Sequence, residues 1–333
     1  MEDIARLAKV SRATVSRALA DSALVNLETK ERIRAIAQAH DYRVNTSARN
    51  FRLGRAQTVA VLIPLAPSSR QHVSDLFFLD LLGSIADALV EANYDLLLSK
   101  PQTTDWQQTF LDSGRADGLI VIGQAGHTAA IEALAHRRVP MVVWGTKSPG
   151  RQYCTVGSDN EGGGFRATSH LIARGRRRVA FLGDATLPEV KLRFAGYRRA
   201  LRRHHIAFDR ALYVATEFTV ESAARSIAAL LRDGPPFDAV FASSDVIAMS
   251  AIQTLHSANV DVPDAVSVVG YDDIRMAASY TPALTTVRQN IEAGGHALVS
   301  RLIALIRGER IGSLVLPTEL IVRRSCGADG RAA

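Results

Sequence analysis

Val10-Ser11-Arg12-Ala13-Thr14-Val15-Ser16-Arg17-Ala18-Leu19 is the most informative run in this 333-residue chain. Ser11 is placed to cap a helix. That helix would carry Val15, Ala18 and Leu19 on one face and Arg12, Thr14, Ser16 and Arg17 on the others. Before it, Ile4, Leu7 and Ala8 follow the i, i+3, i+4 spacing of a short helix, and Lys9-Val10 makes a tight turn. After it, Asn26 is placed to cap a third helix with Ile33, Ile36 and Ala37 facing inward. Two short helices joined by a short turn, plus a third, predict a helix-turn-helix. In that motif residues near the start of the second helix face base edges in the major groove. Arg reads guanine bidentately, and Thr and Ser bond bases or phosphates, so Arg12, Thr14, Ser16 and Arg17 suit the placement.

The charge is concentrated in the same region. Residues 1–55 hold eleven basic and six acidic side chains, +5 of a total net charge of +7, so a small basic head meets a polyanion while the body is nearly neutral. The hydrophobic content of 47% with 22% charged residues excludes a disordered or collagen-like chain, and the length favours two or three folding units. No apolar run approaches the length of a membrane span. The first twelve residues carry both charge signs and no apolar segment, so no secretory signal is expected. Cys154 and Cys326 do not make a disulfide framework. A cytoplasmic protein is expected.

Asp3-Ile4-Ala5 together with residues 10–19 resembles the DNA-binding head of the lac-repressor (LacI/GalR) family. Tyr42-Arg43-Val44-Asn45, followed by residues 48–55, resembles its hinge helix, and the likeness runs on to about Arg324. The resemblance implies an all-α helix-turn-helix head (1–45), a hinge helix and linker (46–56) and a two-lobed, periplasmic-binding-protein-like α/β core with parallel sheets (57–333) for effector binding and dimerisation. It implies a homodimer on palindromic double-stranded operator DNA. The contacts would come from Ser11, Arg12, Ala13, Thr14, Ser16, Arg17, Asn26, Tyr42, Asn45 and Arg49, with Phe51 as the minor-groove wedge. Three features depart from the pattern. The chain opens where the first helix starts, without the usual capping Thr or Ser, which fits a start upstream of Met1. Lys9 replaces a turn glycine, and Phe51 replaces the hinge leucine.

From Thr58 onward apolar β-branched runs alternate with helical stretches. Runs at 59–63, 95–98, 119–122 and 141–144 form one series, with helices near 78–92, 104–113 and 127–137. Runs at 179–182, 212–215, 239–242 and 266–269 form a second, breaking from the first near 153–159. Continuous apolar strands between helices mean parallel sheets covered on both faces. Ligands of such sheets sit beyond the strands' carboxyl ends, which makes the cleft between lobes the expected pocket.

Gly162-Gly163-Gly164-Phe165-Arg166-Ala167 also satisfies G-x-G-x-x-A, with Asp184 twenty residues beyond Gly164, the spacing of a dinucleotide-binding dehydrogenase. Asp159 and Glu161 place carboxylates where a pyrophosphate needs bare amide donors, so a helix capped by Asp159 or Asn160 is the better reading.

For the pocket, the resemblance implies an aromatic pair at Phe77 and Phe78, an effector-gripping Arg193, a stacking Phe218 and an acid at Asp272. Ser244-Asp245 stands where several members have Asn-Asp, and Trp144 follows a strand and lines the cleft. An Arg fork and a carboxylate bond vicinal hydroxyls while an aromatic face packs on a sugar ring. Each has a plainer alternative: core packing for the phenylalanines, an arginine-rich solvated helix for Arg193, a helix cap for Asp245. The connection 65–76 is longer than the family's, and Leu76 replaces a common Pro, so access to the pocket is expected to differ. Several members carry an acid near Gly145, which leaves the sugar's identity open. Arg174 to Arg178 reads as a solvated turn favouring the preceding helix terminus. His204-His205 lacks partners at ligand spacing, so no metal is expected, and neither is a cofactor. There is no nucleophile–base–acid set.

The expectation is a transcriptional repressor of sugar uptake or catabolism genes, controlled by a mono- or disaccharide, and no enzyme. A nucleobase-responsive corepressor-type regulator and a solute-binding module without DNA are the alternatives.

Overall fold

Three short helices in the N-terminal unit, Met1–Ala56, enclose one small core. The structure is a computed structural model and describes residues 1–19, 21–42, 55–65, 70–124, 126–147 and 150–327. Helices α1 (Glu2–Leu7), α2 (Arg12–Leu19) and α3 (Leu27–Ala39) bury Ile4, Ala5, Ala8, Val15, Ala18, Val25 and Ile33 against one another. The Ser11 hydroxyl accepts from the Thr14 amide at 3.1 Å, and Asn26 Oδ1 accepts from the Thr29 amide at 2.8 Å, so both expected caps are made. Leu7 departs from expectation. The inward stripe is Ile4-Ala5-Ala8, and Leu7, about 100° round the helix from its middle, is 45% exposed. The turn before α2 passes through Lys9 at φ +52°, a left-handed conformation that glycine adopts without the side-chain penalty.

The second unit, Gln57–Ala333, is built on two six-stranded sheets. The first contains β1 (Thr58–Leu62), β2 (Asp95–Ser99), β3 (Gly118–Ile122), β4 (Met141–Trp144), β5 (Cys154–Ser158) and β11 (Leu314–Leu316). Its order is β11-β5-β4-β3-β1-β2, parallel throughout. The second contains β6 (Val179–Leu182), β7 (Tyr213–Val214), β8 (Ala239–Ala242), β9 (Ser267–Asp272), β10 (Thr285–Gln289) and β12 (Thr318–Ile321). Its order is β12-β10-β9-β8-β6-β7, with only β12 antiparallel to its neighbour. The 212–215 run shrinks to Tyr213–Val214 because a 3-10 turn, Arg210–Leu212, holds its start.

Helices α4 (Leu76–Glu91) and α5 (Thr128–His136) cover the first sheet, with a π-helical turn at Gln107–Asp112. Helices α6 (Asn160–Ala173), α7 (Pro188–Arg203), α8 (Val220–Asp233), α9 (Asp245–Ser257) and α10 (Arg275–Ser279) cover the second. Helix α11 (Ile291–Ile306) follows a strand of the second sheet yet buries Leu298 and Leu302 in the core of the first. The lobes are therefore not two consecutive halves. The chain passes between them three times: after β5, after β10, and between β11 and β12. The late strands escape a reading by apolar runs because β11 and β12 are largely exposed or half-buried.

Asp159 caps α6, its Oδ1 accepting from the Gly162 amide at 2.9 Å. The glycines behind it serve packing. A Cβ on Gly164 would lie 2.1 Å from the Arg193 carbonyl oxygen, and one on Gly196 would lie 2.1 Å from that of Glu161. Helices α6 and α7 meet backbone to backbone there. The segment read as a solvated arginine turn is also structural: Arg176 donates to the carbonyls of Pro263, Asp264 and Ala265, and Arg178 to that of Pro236. Both thiols, Cys154 and Cys326, are buried and unpaired. Among the described residues no helix is long and apolar enough to cross a membrane.

Candidate functional site

On the head, burial of Val15 and Ala18 turns the other side of α2 to solvent. Arg12, Ala13 and Arg17 are exposed there, with Ser16 half-buried beside them. Ser11 and Thr14 are hydrogen-bonded to each other at 2.9 Å at the helix start. Three other basic groups are occupied within the head. Lys30 and Arg34 bind Asp21 at 3.1 and 2.7 Å, holding its carboxyl below the usual range, and Arg32 donates to the Ala8 carbonyl. Arg12 has only a 3.9 Å approach to Glu2, between exposed groups. Arg12 and Arg17 are thus the guanidinium groups that α2 offers to a partner. Asn26 is exposed as well as capping, while Tyr42 packs against the head core. Asn45, Arg49, Phe51 and the helix expected over 48–53 lie outside the described residues.

In the second unit, a cavity of about 380 Å³ opens where strand ends of both lobes face each other. Seven of the eight residues named from sequence border it: Phe77, Phe78, Trp144, Arg193, Phe218, Ser244 and Asp272. Phe77 sits 5.8 Å from Phe78 and 6.2 Å from Trp144, ring centre to ring centre, as an aromatic wall on the first lobe. Phe218 supplies an aromatic side chain from the second.

Arg193 and Asp272 are the buried charges at this wall. Arg193 projects from α7, its guanidinium 3.7 Å above the Tyr271 ring. Its Nε donates to Asn160 Oδ1 at 2.8 Å, one Nη donates to the Ser243 carbonyl, and that Nη lies 3.8 Å from Asp272. Asp272 ends β9 at φ +119°, followed by Asp273 at φ +59°. Backbone strain of this kind persists only where surrounding contacts over-determine it, and it concentrates at functional positions. Gln289 Nε2 donates to Asp272 Oδ1 at 2.7 Å, while Asp273 is paired to Arg288 and Arg323 at 2.7 Å each. Burial raises the Asp272 carboxyl above its usual range, against the pull of Arg193.

Asp245 is a correction. It neither borders the cavity nor caps α9: Ser244 caps, accepting from the Ile247 amide. The Asp245 side chain is fully buried and accepts from the Ile274 amide at 2.9 Å and from the Thr286 hydroxyl, fastening the loop that holds Asp272. Burial, and after it the Asp272 charge, pushes its carboxyl up.

Sequence reading did not single out Asp75, Gln124, Glu189 or Gln289, all of which border the cavity. Gln289 Oε1 accepts from the Ser158 hydroxyl, and Asn160, the Arg193 partner, donates to the Ser158 carbonyl at 3.0 Å. Both buried charges are thereby tied to the strands that cross between lobes.

A small helix-turn-helix unit and a two-lobed α/β unit with a polar, aromatic-walled cleft, in one chain, define a ligand-controlled DNA-binding regulator. Residues 1–45 match the family described as bacterial regulatory proteins, lacI family, and residues 168–326 match the periplasmic binding protein-like domain. The HTH-type transcriptional regulator CelR of Thermobifida fusca is 31% identical, over 98% of this chain and 97% of CelR. The HTH-type transcriptional repressor CytR of Escherichia coli (strain K12) is 30% identical, over 98% and 96%. A solved transcriptional regulator CelR–cellobiose complex superposes with a TM-score of 0.73 at 29% identity, covering 97% of this chain and 98% of that one. The chain belongs to the lacI family of bacterial regulatory proteins, and it is a transcriptional regulator.

Proposed function

We propose that this chain is a repressor of sugar uptake or catabolism genes: a homodimer that reads a palindromic operator through α2 and loosens its hold when a sugar fills the cleft. The observation that carries the reading is the convergence of Arg193, Asp272, Phe77 and Phe218, from both lobes, on one cavity. A guanidinium beside a carboxylate suits vicinal hydroxyls, and aromatic faces suit the apolar side of a sugar ring. The relative with cellobiose in its structure supports a saccharide. Paired half-sites mirror a two-fold protein, which supports the dimer on a palindrome.

The test is fluorescence anisotropy of the full chain on DNA from immediately upstream of its gene, with competitor DNA, with and without a pool of mono- and disaccharides. Competitor-resistant binding that the pool weakens is expected. Competitor-resistant binding indifferent to every saccharide would overturn the sugar reading.

A further inference from the structure

Carboxyl groups outnumber cations around the cleft. Asp75, Glu189 and Asp272 border the cavity, and Arg193 is the only cationic side chain among the described residues that does. Most of these groups already have protein partners. Asp75 accepts from the His72 amide at 3.2 Å and Asp272 from Gln289 at 2.7 Å, while Arg193 donates to Asn160 and the Ser243 carbonyl. Glu189 differs. It stands in the first turn of α7, one turn ahead of Arg193, and its Oε1 is cut off from solvent with no hydrogen-bond partner. A buried acceptor without a donor costs the protein free energy, and burial raises this carboxyl above its usual range. The fold gives that oxygen no donor, and it sits at the wall of the cavity a ligand would fill.

We propose that Glu189 is a specificity-determining residue that accepts a hydrogen bond from a hydroxyl of an uncharged, polyhydroxylated ligand, and that the carboxyl surplus of the cleft turns away phosphorylated and carboxylated sugars. This rests on the cleft being the effector site. An anionic ligand would bring its charge beside Glu189 and Asp272 where little water screens the repulsion, with one partly committed guanidinium to offset it. A neutral sugar meets acceptors for its hydroxyls and the Phe77–Trp144 wall for its apolar face.

The test is calorimetric titration of the full chain with glucose, ribose, cellobiose, adenosine and cytidine, and with glucose 6-phosphate, gluconate, ribose 5-phosphate, AMP and CMP. At least one neutral compound should bind, with its phosphorylated or carboxylated counterpart at least 100-fold weaker. Glu189→Gln should narrow that ratio at least 10-fold, which a merely structural side chain would not do, and should raise the ligand-free melting temperature by removing the unpaired carboxyl. Equal or tighter binding of an anionic member, a ratio unchanged in Glu189→Gln, or no binding by any neutral member would overturn the inference. A neutral ligand that binds in this way yet leaves DNA affinity unchanged would instead overturn the regulatory reading.

Discussion

Arg193 holds the cleft wall together as well as facing its cavity. Its guanidinium contacts Asn160, the Ser243 carbonyl, Asp272 and the Tyr271 face, all from within the protein. Arg193→Ala strips a buried charge of its partner and should destabilise the second unit by about 3–5 kcal/mol in urea unfolding. Arg193→Lys keeps the charge but loses the planar fork, so it should fold better than the alanine variant and still lose at least 10-fold in effector affinity. Wild-type affinity in Arg193→Lys would refute the gripping role. Seven of the eight cavity positions were legible through motif resemblance, because Arg193-Phe194-Ala195-Gly196-Tyr197 and Gly270-Tyr271-Asp272-Asp273 carry local patterns. Glu189 and Gln289 were not, since their significance is a position in space. A lone Glu in a helix's first turn reads as ordinary dipole complementation. Asp245 was misread for the converse reason: Ser244 and Asp245 are both cap-forming types, and only the fold shows which one turns inward.

Between residues and lobes, the informative contact is the close approach of α6 and α7. Gly164→Ala would drive a methyl into the Arg193 carbonyl, 2.1 Å from its ideal position, with helix backbone on both sides. Overpacking typically costs about 1–3 kcal/mol, and a loss in that range or beyond is expected in thermal or urea melts. Because α7 carries both Glu189 and Arg193, effector affinity should fall with it. A fully stable Gly164→Ala variant with unaltered affinity would contradict this packing role. The helices of the head and the apolar strands of both sheets were readable from period and caps. The return of α11 and β11 to the first lobe was not, because nothing in a segment's own periodicity records which of two similar sheets it joins.

At the scale of the molecule, three crossings join the lobes, and the polar side chains of the cleft are wired into them. Asp272 is held by Gln289 at the end of β10, Gln289 is bound by Ser158 at the end of β5, and Arg193 is held by Asn160 just beyond. Arg275 on α10 meets Asp80 on α4 at 3.2 Å, an exposed link between lobes. A ligand that engages Arg193 and Asp272 therefore acts on the groups that set one lobe against the other, the two-state element that effector control requires. Energetic coupling between two sites is reciprocal. The most direct measurement is the affinity of the identified sugar for the full chain, free and saturated with operator DNA. The account predicts weaker sugar binding on the operator, by a factor of about 5–150, matched by the same loss of operator affinity when sugar is saturating. Equal sugar affinity in the two states would contradict it.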